Sequence, residues 1–345
     1  MKIRKIAVTA VLIAALAFTA FAGGQQDGES DGYVIGFSNS FNGNTYRQAE
    51  EAEFIALADQ MVADGILKEY TILESNQNTA TQVSQIESLI LDGVDAIIVD
   101  PGSASGLNGA IESAVDAGIP VVVVNGGPVT TDAPYQINFP YQKIINVPAQ
   151  FVADKLGGEG NVIIIRGIAG VPADQMFYNG MVEIFDKYPG INIVGEVYGE
   201  WTGSVAQQQV ASILPSCPEV DAVIGEGGDA YGAMQAFEAA GRDIPLIIGG
   251  NRGNFLTWWA EEARTNGYET MSWCTNAWTA AVGLYVAVDI LDGVDVPKDM
   301  DFAGTMGGAY IYQDTIQEYT DLAADDVAFI VGDHQWIKDN LYTQK

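Results

Sequence analysis

Residues 83–125 read VSQIESLILDGVDAIIVDPGSASGLNGAIESAVDAGIPVVVVN, and two periods alternate along them. Val83, Ile86 and Ile90 recur at helical spacing, as do Leu107, Ile111 and Val115. Between and after these stripes stand AIIV (96–99) and VVVV (121–124), apolar at every position. A strand that is apolar on both faces is buried on both, the condition of a parallel sheet covered by helices. Repeated strand–helix–strand units of this kind predict a doubly wound α/β sheet.

The alternation extends in both directions. Strands are expected at Tyr33–Ser38, Tyr70–Glu74, Ala96–Val99, Val121–Asn125 and Gln136–Asn138. A second group follows at Asn161–Ile165, Ile193–Tyr198, Ala222–Gly225, Leu246–Gly249 and Glu269–Trp273. The division near residue 139 predicts two such sheets in two Rossmann-like lobes. In open sheets of this kind a ligand sits outside the carboxyl ends of the strands, so two facing lobes would surround one cleft with those ends.

The N-terminus reads as an export signal. Lys2, Arg4 and Lys5 precede the apolar run Ile6–Phe18, and Ala20-Phe21-Ala22 sets small residues before a cut at Gly23. The run is shorter than the roughly 20 residues of a membrane span. Gly23–Gly32 reads as a polar leader. Residues 277–291 are apolar but interrupted by Asp289, and read as a buried helix. Export makes a protein that captures a molecule more expected than a cytosolic type of enzyme.

The net charge is −30, and removing the three basic residues of the signal takes it to −33. Nucleic-acid binding needs a basic footprint, and anionic lipid headgroups repel an acidic surface, so both partners are disfavoured. A salty habitat, where ions screen self-repulsion, would accommodate such a charge. The two cysteines, Cys217 and Cys274, are expected as free buried thiols. With His334 as the sole histidine, no zinc site or Ser-His-Asp triad is expected. Gly225-x-Gly227-x-x-Ala230 is only a loose dinucleotide fingerprint, and no cofactor is expected.

The strand ends carry the candidate chemistry. After the first strand come Asn44, a helix cap or a ligand partner, then Tyr46 and Arg47, a cation that either faces the pocket or pairs with a carboxylate. Asp100-Pro101-Gly102-Ser103 follows the third strand and Asn125-Gly126-Gly127 the fourth. In the second half Phe177, Trp201, Asn251-Arg252 and Trp273 occupy comparable places, with Glu226 and Asp229 after IG at 224–225. Aromatic faces among amides suit a ligand that stacks and offers hydroxyls.

With these stretches in view (YVIGFSNSFNGNTYR, QVSQIESLILDGVDAIIVDP, AGIPVVVVN, VIIIRGIAG and VDAVIGEGGDAYGAMQAF), the chain resembles the periplasmic sugar-binding proteins of ABC transporters, the ribose/galactose-binding type I group. The resemblance covers nearly all of residues 33–345. It implies a type I periplasmic binding protein fold, two lobes joined by a three-strand hinge and closing on ligand, with residues 33–139 plus 275–308 in the N-terminal lobe and 140–274 plus 309–345 in the C-terminal lobe. It implies capture of a small neutral ligand, most simply a monosaccharide, by a periplasmic monomer without catalytic activity, and delivery to an ABC permease and ATPase. The family's ligand-facing positions fall on Asn44, Tyr46, Arg47, Asn125, Phe177, Trp201, Asn251 and Trp273. Ribose binders carry Asp-Arg where this chain has Asn125-Gly126, Arg at Phe177, Asp at Asn251 and Gln at Trp273. The Tyr-Arg of the first helix is more like the furanose-binding branch. Fewer charged grips would shift ligand preference, and a nucleoside-like ligand is the alternative. A sensor for a chemoreceptor or kinase would share the fold and pocket. An exported hydrolase would need paired carboxylates across the cleft, for which Asp100 and Asp229 are the one pair to test.

Overall fold

A computed structural model describes residues 2–6, 32–302 and 309–344. The apolar run from Ala7 onward and the expected cut at Ala22-Gly23 lie outside the described residues.

Six strands form the first sheet, in the order Asp299–Asp301, Tyr135–Asn138, Val121–Val123, Ala96–Asp100, Tyr33–Asn39, Leu67–Glu74. All its pairings are parallel. Ala96–Asp100 and Val121–Val123 are buried at every position, because helices cover both faces. A second sheet runs Leu246–Ile247, Ala222–Gly225, Glu159–Arg166, Gly190–Tyr198, again parallel throughout. In a small third sheet Gly249–Gly250 pairs parallel with Ser272–Cys274, and Ala309–Ile311 joins antiparallel.

The chain passes between the sheets at three places. After Tyr135–Asn138 the helix Tyr141–Lys155 packs on Pro172–Phe185 and touches the second sheet. After Ser272–Cys274 the helix Thr279–Leu291 returns to lie on Ala96–Asp100 and Val121–Val123 and on the first helix, Thr45–Ala63. After Asp299–Asp301 the chain leaves again for Ala309–Ile311.

The last helix, His334–Asn340, belongs to the segment 309–345 expected in the C-terminal lobe and packs across onto residues expected in the N-terminal one. It docks on the first-lobe side, with Trp336 edge-on to Trp278 and Phe302. Electrostatics supply the reason. Asp289 is 2% exposed within an otherwise apolar helix, and His334 Nε2 (2.7 Å), Tyr342 Oη (2.7 Å) and Lys338 Nζ (3.4 Å) surround its carboxylate. Those partners all come from the C-terminal segment, so a buried charge ties it down.

Three strands beyond the expected ten are present in the C-terminal part: Asp299–Asp301, Ala309–Ile311 and Val327–Val331. A further short strand, Lys2–Ile6, pairs antiparallel with Val327–Val331. The expected strand Val121–Asn125 stops at Val123, and Asn125, at φ 49°, turns the chain out of the sheet. Among the described residues no helix is long and apolar enough to cross a membrane.

Candidate functional site

Both parallel sheets reverse their strand order at their first strand. In the first, Tyr33–Asn39 is flanked by Leu67–Glu74 on one side and Ala96–Asp100 on the other. In the second, Glu159–Arg166 lies between Gly190–Tyr198 and Ala222–Gly225. Such switch points open a crevice at the strand carboxyl ends. The two crevices meet in one cavity of about 1020 Å³, the part open to solvent included. Ser40, Asp100 and Asn125 line it from the first sheet, and Ile168, Trp201 and Glu226 from the second.

The wall from the first sheet is a closed hydrogen-bond network centred on Arg47, which is 7% exposed. Its Nε donates to the Phe41 carbonyl (3.0 Å) and its Nη2 to Asn39 Oδ1 (2.6 Å) and Ser40 Oγ (3.1 Å). Its Nη1 donates to Glu50 Oε2 (3.0 Å) and to the Asp100 carboxylate. A guanidinium has five N–H donors, and these contacts occupy all of them. Asn125 Nδ2 bonds the same two carboxylates, each at 3.1 Å. Its Oδ1 accepts from Tyr46 Oη and Tyr141 Oη, each at 3.2 Å. Thr279 Oγ1 donates to Glu50 Oε1 at 2.5 Å, which brings the returning helix into the network. Burial raises the Glu50 carboxyl, and Arg47 and its hydrogen bonds oppose that. Asn44 both caps its helix, accepting from Arg47 N at 2.9 Å, and lines the cavity.

The wall from the second sheet is built differently. Trp201 holds a left-handed backbone at φ 51°, next to Glu200 at φ 53°. For a bulky residue this conformation is an outlier of order 1–3 kcal/mol. Its indole lies directly on the backbone of Gly167, where an added Cβ would come within 2.2 Å of the ring. Glu226, 4% exposed, accepts from Gly167 N at 2.9 Å through Oε2, and its Oε1 has no partner. Burial, then the fields of Asp174 and Asp229, hold its carboxyl well above the ordinary range, and Arg166 opposes them. Arg252 lines the cavity beside Trp201 and donates from Nη2 to the Trp201 carbonyl at 3.0 Å.

Seven of the eight residues expected from the sequence line this one cavity: Asn44, Tyr46, Arg47, Asn125, Phe177, Trp201 and Asn251. Trp273 does not. It is 1% exposed and packs edge-on behind Phe177, at 5.1 Å between centroids, so it supports the lining from the core. Arg47, expected to face either pocket or carboxylate, does both. Asn251 is bound at both ends of its amide, Nδ2 to the Ala328 carbonyl (3.1 Å) and Oδ1 to Ser272 Oγ (3.0 Å), and stitches two strands together. Between Glu226 and Asp229, Glu226 lines the cavity, while Asp229 is fully buried outside the lining with both carboxylate oxygens unpartnered. The hydrolase pair therefore does not form: Asp229 is not in the lining and Asp100 is engaged by Arg47. Glu226 and Arg252, strand-end candidates outside the eight family positions, also line the cavity, and Tyr141 lines it without having been named from the sequence. Arg252 directly follows Asn251 at a strand end and was open to the same reading; Tyr141 follows a crossover and carries no sequence signal. Both cysteines are free and buried, and burial pushes the Cys274 thiol up to about 12. Among the described residues no acidic, histidine or cysteine cluster is arranged to hold a metal ion.

The chain belongs to the periplasmic binding protein domain family, whose model matches residues 35–295. Among solved structures, an ABC transporter solute-binding protein from Thermobispora bispora superposes with a TM-score of 0.82 at 32% identity, covering 89% of this chain and 94% of that one. Among curated proteins, the xylitol-binding protein of Mycolicibacterium smegmatis is 33% identical over 177 residues, 51% of each chain. The ribose import binding protein of Bacillus subtilis is 28% identical over 179 residues, 52% of this chain and 58% of its own. The matched segment thus spans about half the length of these curated relatives.

Proposed function

We propose that this periplasmic binding protein captures a monosaccharide or polyol by hinged closure and hands it to an ABC importer, without chemical turnover. One observation carries the reading: the carboxyl ends of two parallel sheets meet at a single cavity that sets aromatic faces beside both hydrogen-bond donors and acceptors. A sugar has that dual character, with apolar ring faces and hydroxyls that donate and accept. The similarity to proteins named for xylitol and ribose binding supports the same ligand class.

The ligand would touch Asn44, Tyr46, Phe177 and Trp201, with Asn125 and Arg47 holding the first wall behind them. The lobes that close would be residues 33–139 plus 275–308 and residues 140–274 plus 309–345, the last helix lying against the first lobe. The export signal would be cleaved before Gly23, releasing a periplasmic monomer that docks on the permease and its ATPase. A hinge of three crossings permits such closure without unfolding either lobe.

The test is a thermal-shift screen of the mature protein against D-ribose, L-arabinose, xylitol, myo-inositol and adenosine. A ligand at about 100 times its Kd adds roughly 2.7 kcal/mol and raises Tm by several degrees. A shift with a sugar or polyol is expected. A shift with adenosine alone would redirect the assignment to nucleosides, and no shift across the panel would overturn the sugar reading.

A further inference from the structure

Two arginines reach the cavity, and they are in opposite states. Arg47 spends all five N–H donors on the protein. Arg252 spends one, on the Trp201 carbonyl. Among the described residues no carboxylate lies within ion-pair distance of Arg252, and its remaining N–H groups are not sealed from the cavity. Its position adds a second argument. Arg252 is the N-cap residue of helix Gly253–Thr265, and its side chain makes no capping bond there. The guanidinium instead lies against the bare backbone of Gly228, where an added Cβ would come within 2.2 Å of it, beside the Trp201 carbonyl that it bonds. The charged groups acting on it are Asp229, which is buried without a hydrogen bond, and Asp325.

We infer that Arg252 is the specificity-determining donor for the ligand, and that Arg47 is a strut holding the opposite wall. This rests on the binding reading above. The free edge of the Arg252 guanidinium offers parallel N–H groups, which match two adjacent oxygens; the ligand feature selected is a vicinal diol, presented with its ring over Trp201. Lysine keeps the charge and loses the fork, so it does not substitute.

The experiment titrates the mature protein calorimetrically with whichever of D-ribose, L-arabinose, xylitol or myo-inositol shifts its Tm. Arg252→Gln is expected to weaken binding about 100-fold and Arg252→Lys about 10-fold, with the unligated Tm within about 2 °C of wild type, because a charged donor is lost in the first and only its fork in the second. Arg252→Gln binding within threefold of wild type would overturn the inference. If no sugar shifts the wild type, the binding reading fails and this inference falls with it; where a sugar does bind, a ligand-free arm tests the contrast between the two arginines. Phenylglyoxal, which attacks unengaged guanidinium groups, should modify Arg252 before Arg47 when the adducts are mapped by mass spectrometry. Modification of Arg47 first would overturn it.

Discussion

The two walls of the cavity face each other with opposite economies of hydrogen bonding. In the first, Arg47, Glu50, Asp100, Asn125, Tyr46 and Tyr141 satisfy one another, and the network reaches into the helix Thr279–Leu291 through Thr279. In the second, Glu226 Oε1 has no partner, Arg252 has one, and Trp201 sits in a left-handed conformation. A saturated buried network rigidifies, and a partly satisfied one is poised for new contacts. The difference teaches that preorganisation and recognition are divided between the lobes: the first offers a fixed surface, and the second carries the unmet valences that a ligand would satisfy.

The largest expected effect breaks the first wall. Arg47→Ala leaves Asp100 and Glu50 buried without their cation, and should destabilise the protein by about 3–5 kcal/mol in urea unfolding. A loss under 1 kcal/mol would mean that the network is not the rigid element. Next, Trp201→Ala tests the second wall. Affinity for a responsive sugar should fall by about 2 kcal/mol in calorimetry, with little change in unligated Tm, because the ring covers a glycine rather than filling the core.

A third prediction concerns pH. Burial lifts the Asp229 carboxyl from 3.8 to about 7. Between those values the folded state holds a proton that the unfolded chain has released. Stability from this group is therefore full below about pH 4 and is lost as pH rises toward 7. Asp229→Asn removes the dependence, and should gain roughly 2 kcal/mol over wild type at pH 8 relative to pH 5 in thermal unfolding. Equal pH profiles would show that the carboxyl has found a partner. The smallest effect is Tyr46→Phe, which deletes one donor shared by Asn125 Oδ1 and the Asn276 carbonyl and should cost about 1 kcal/mol in chemical unfolding.

How far the residues foretold this molecule depends on the range of the interaction involved. AIIV and VVVV announce buried parallel strands because their burial follows from their own composition. Asp299–Asp301 has no strand pattern; it exists because Tyr135–Asn138 offers a free edge in register. The helix His334–Asn340 joins the first lobe for the sake of Asp289, 45 residues earlier than His334. At the site, strand-end position brought seven expected residues to one cavity, since topology alone puts them there. Local sequence carried no record of which side chains are already engaged. Arg47 and Arg252 both stand beside strand ends, and only the three-dimensional contacts separate the saturated group from the open one. Trp273 has the right strand end and the wrong face, a difference of one residue in a period of two.

The indole of Trp201 on bare Gly167 backbone restricts how the pocket can be altered. A side chain as small as alanine at residue 167 would intersect the ring, and the left-handed turn at residue 201 suits glycine or asparagine better than any large replacement. A side chain at residue 167 alone is penalised, whereas a smaller residue at 201 vacates the space above it, so changes at 167 become possible only together with a change 34 residues away. Libraries aimed at this pocket should therefore randomise the two codons jointly; saturation at residue 167 alone would sample mostly damaged cavities and report a rigidity that belongs to the pair.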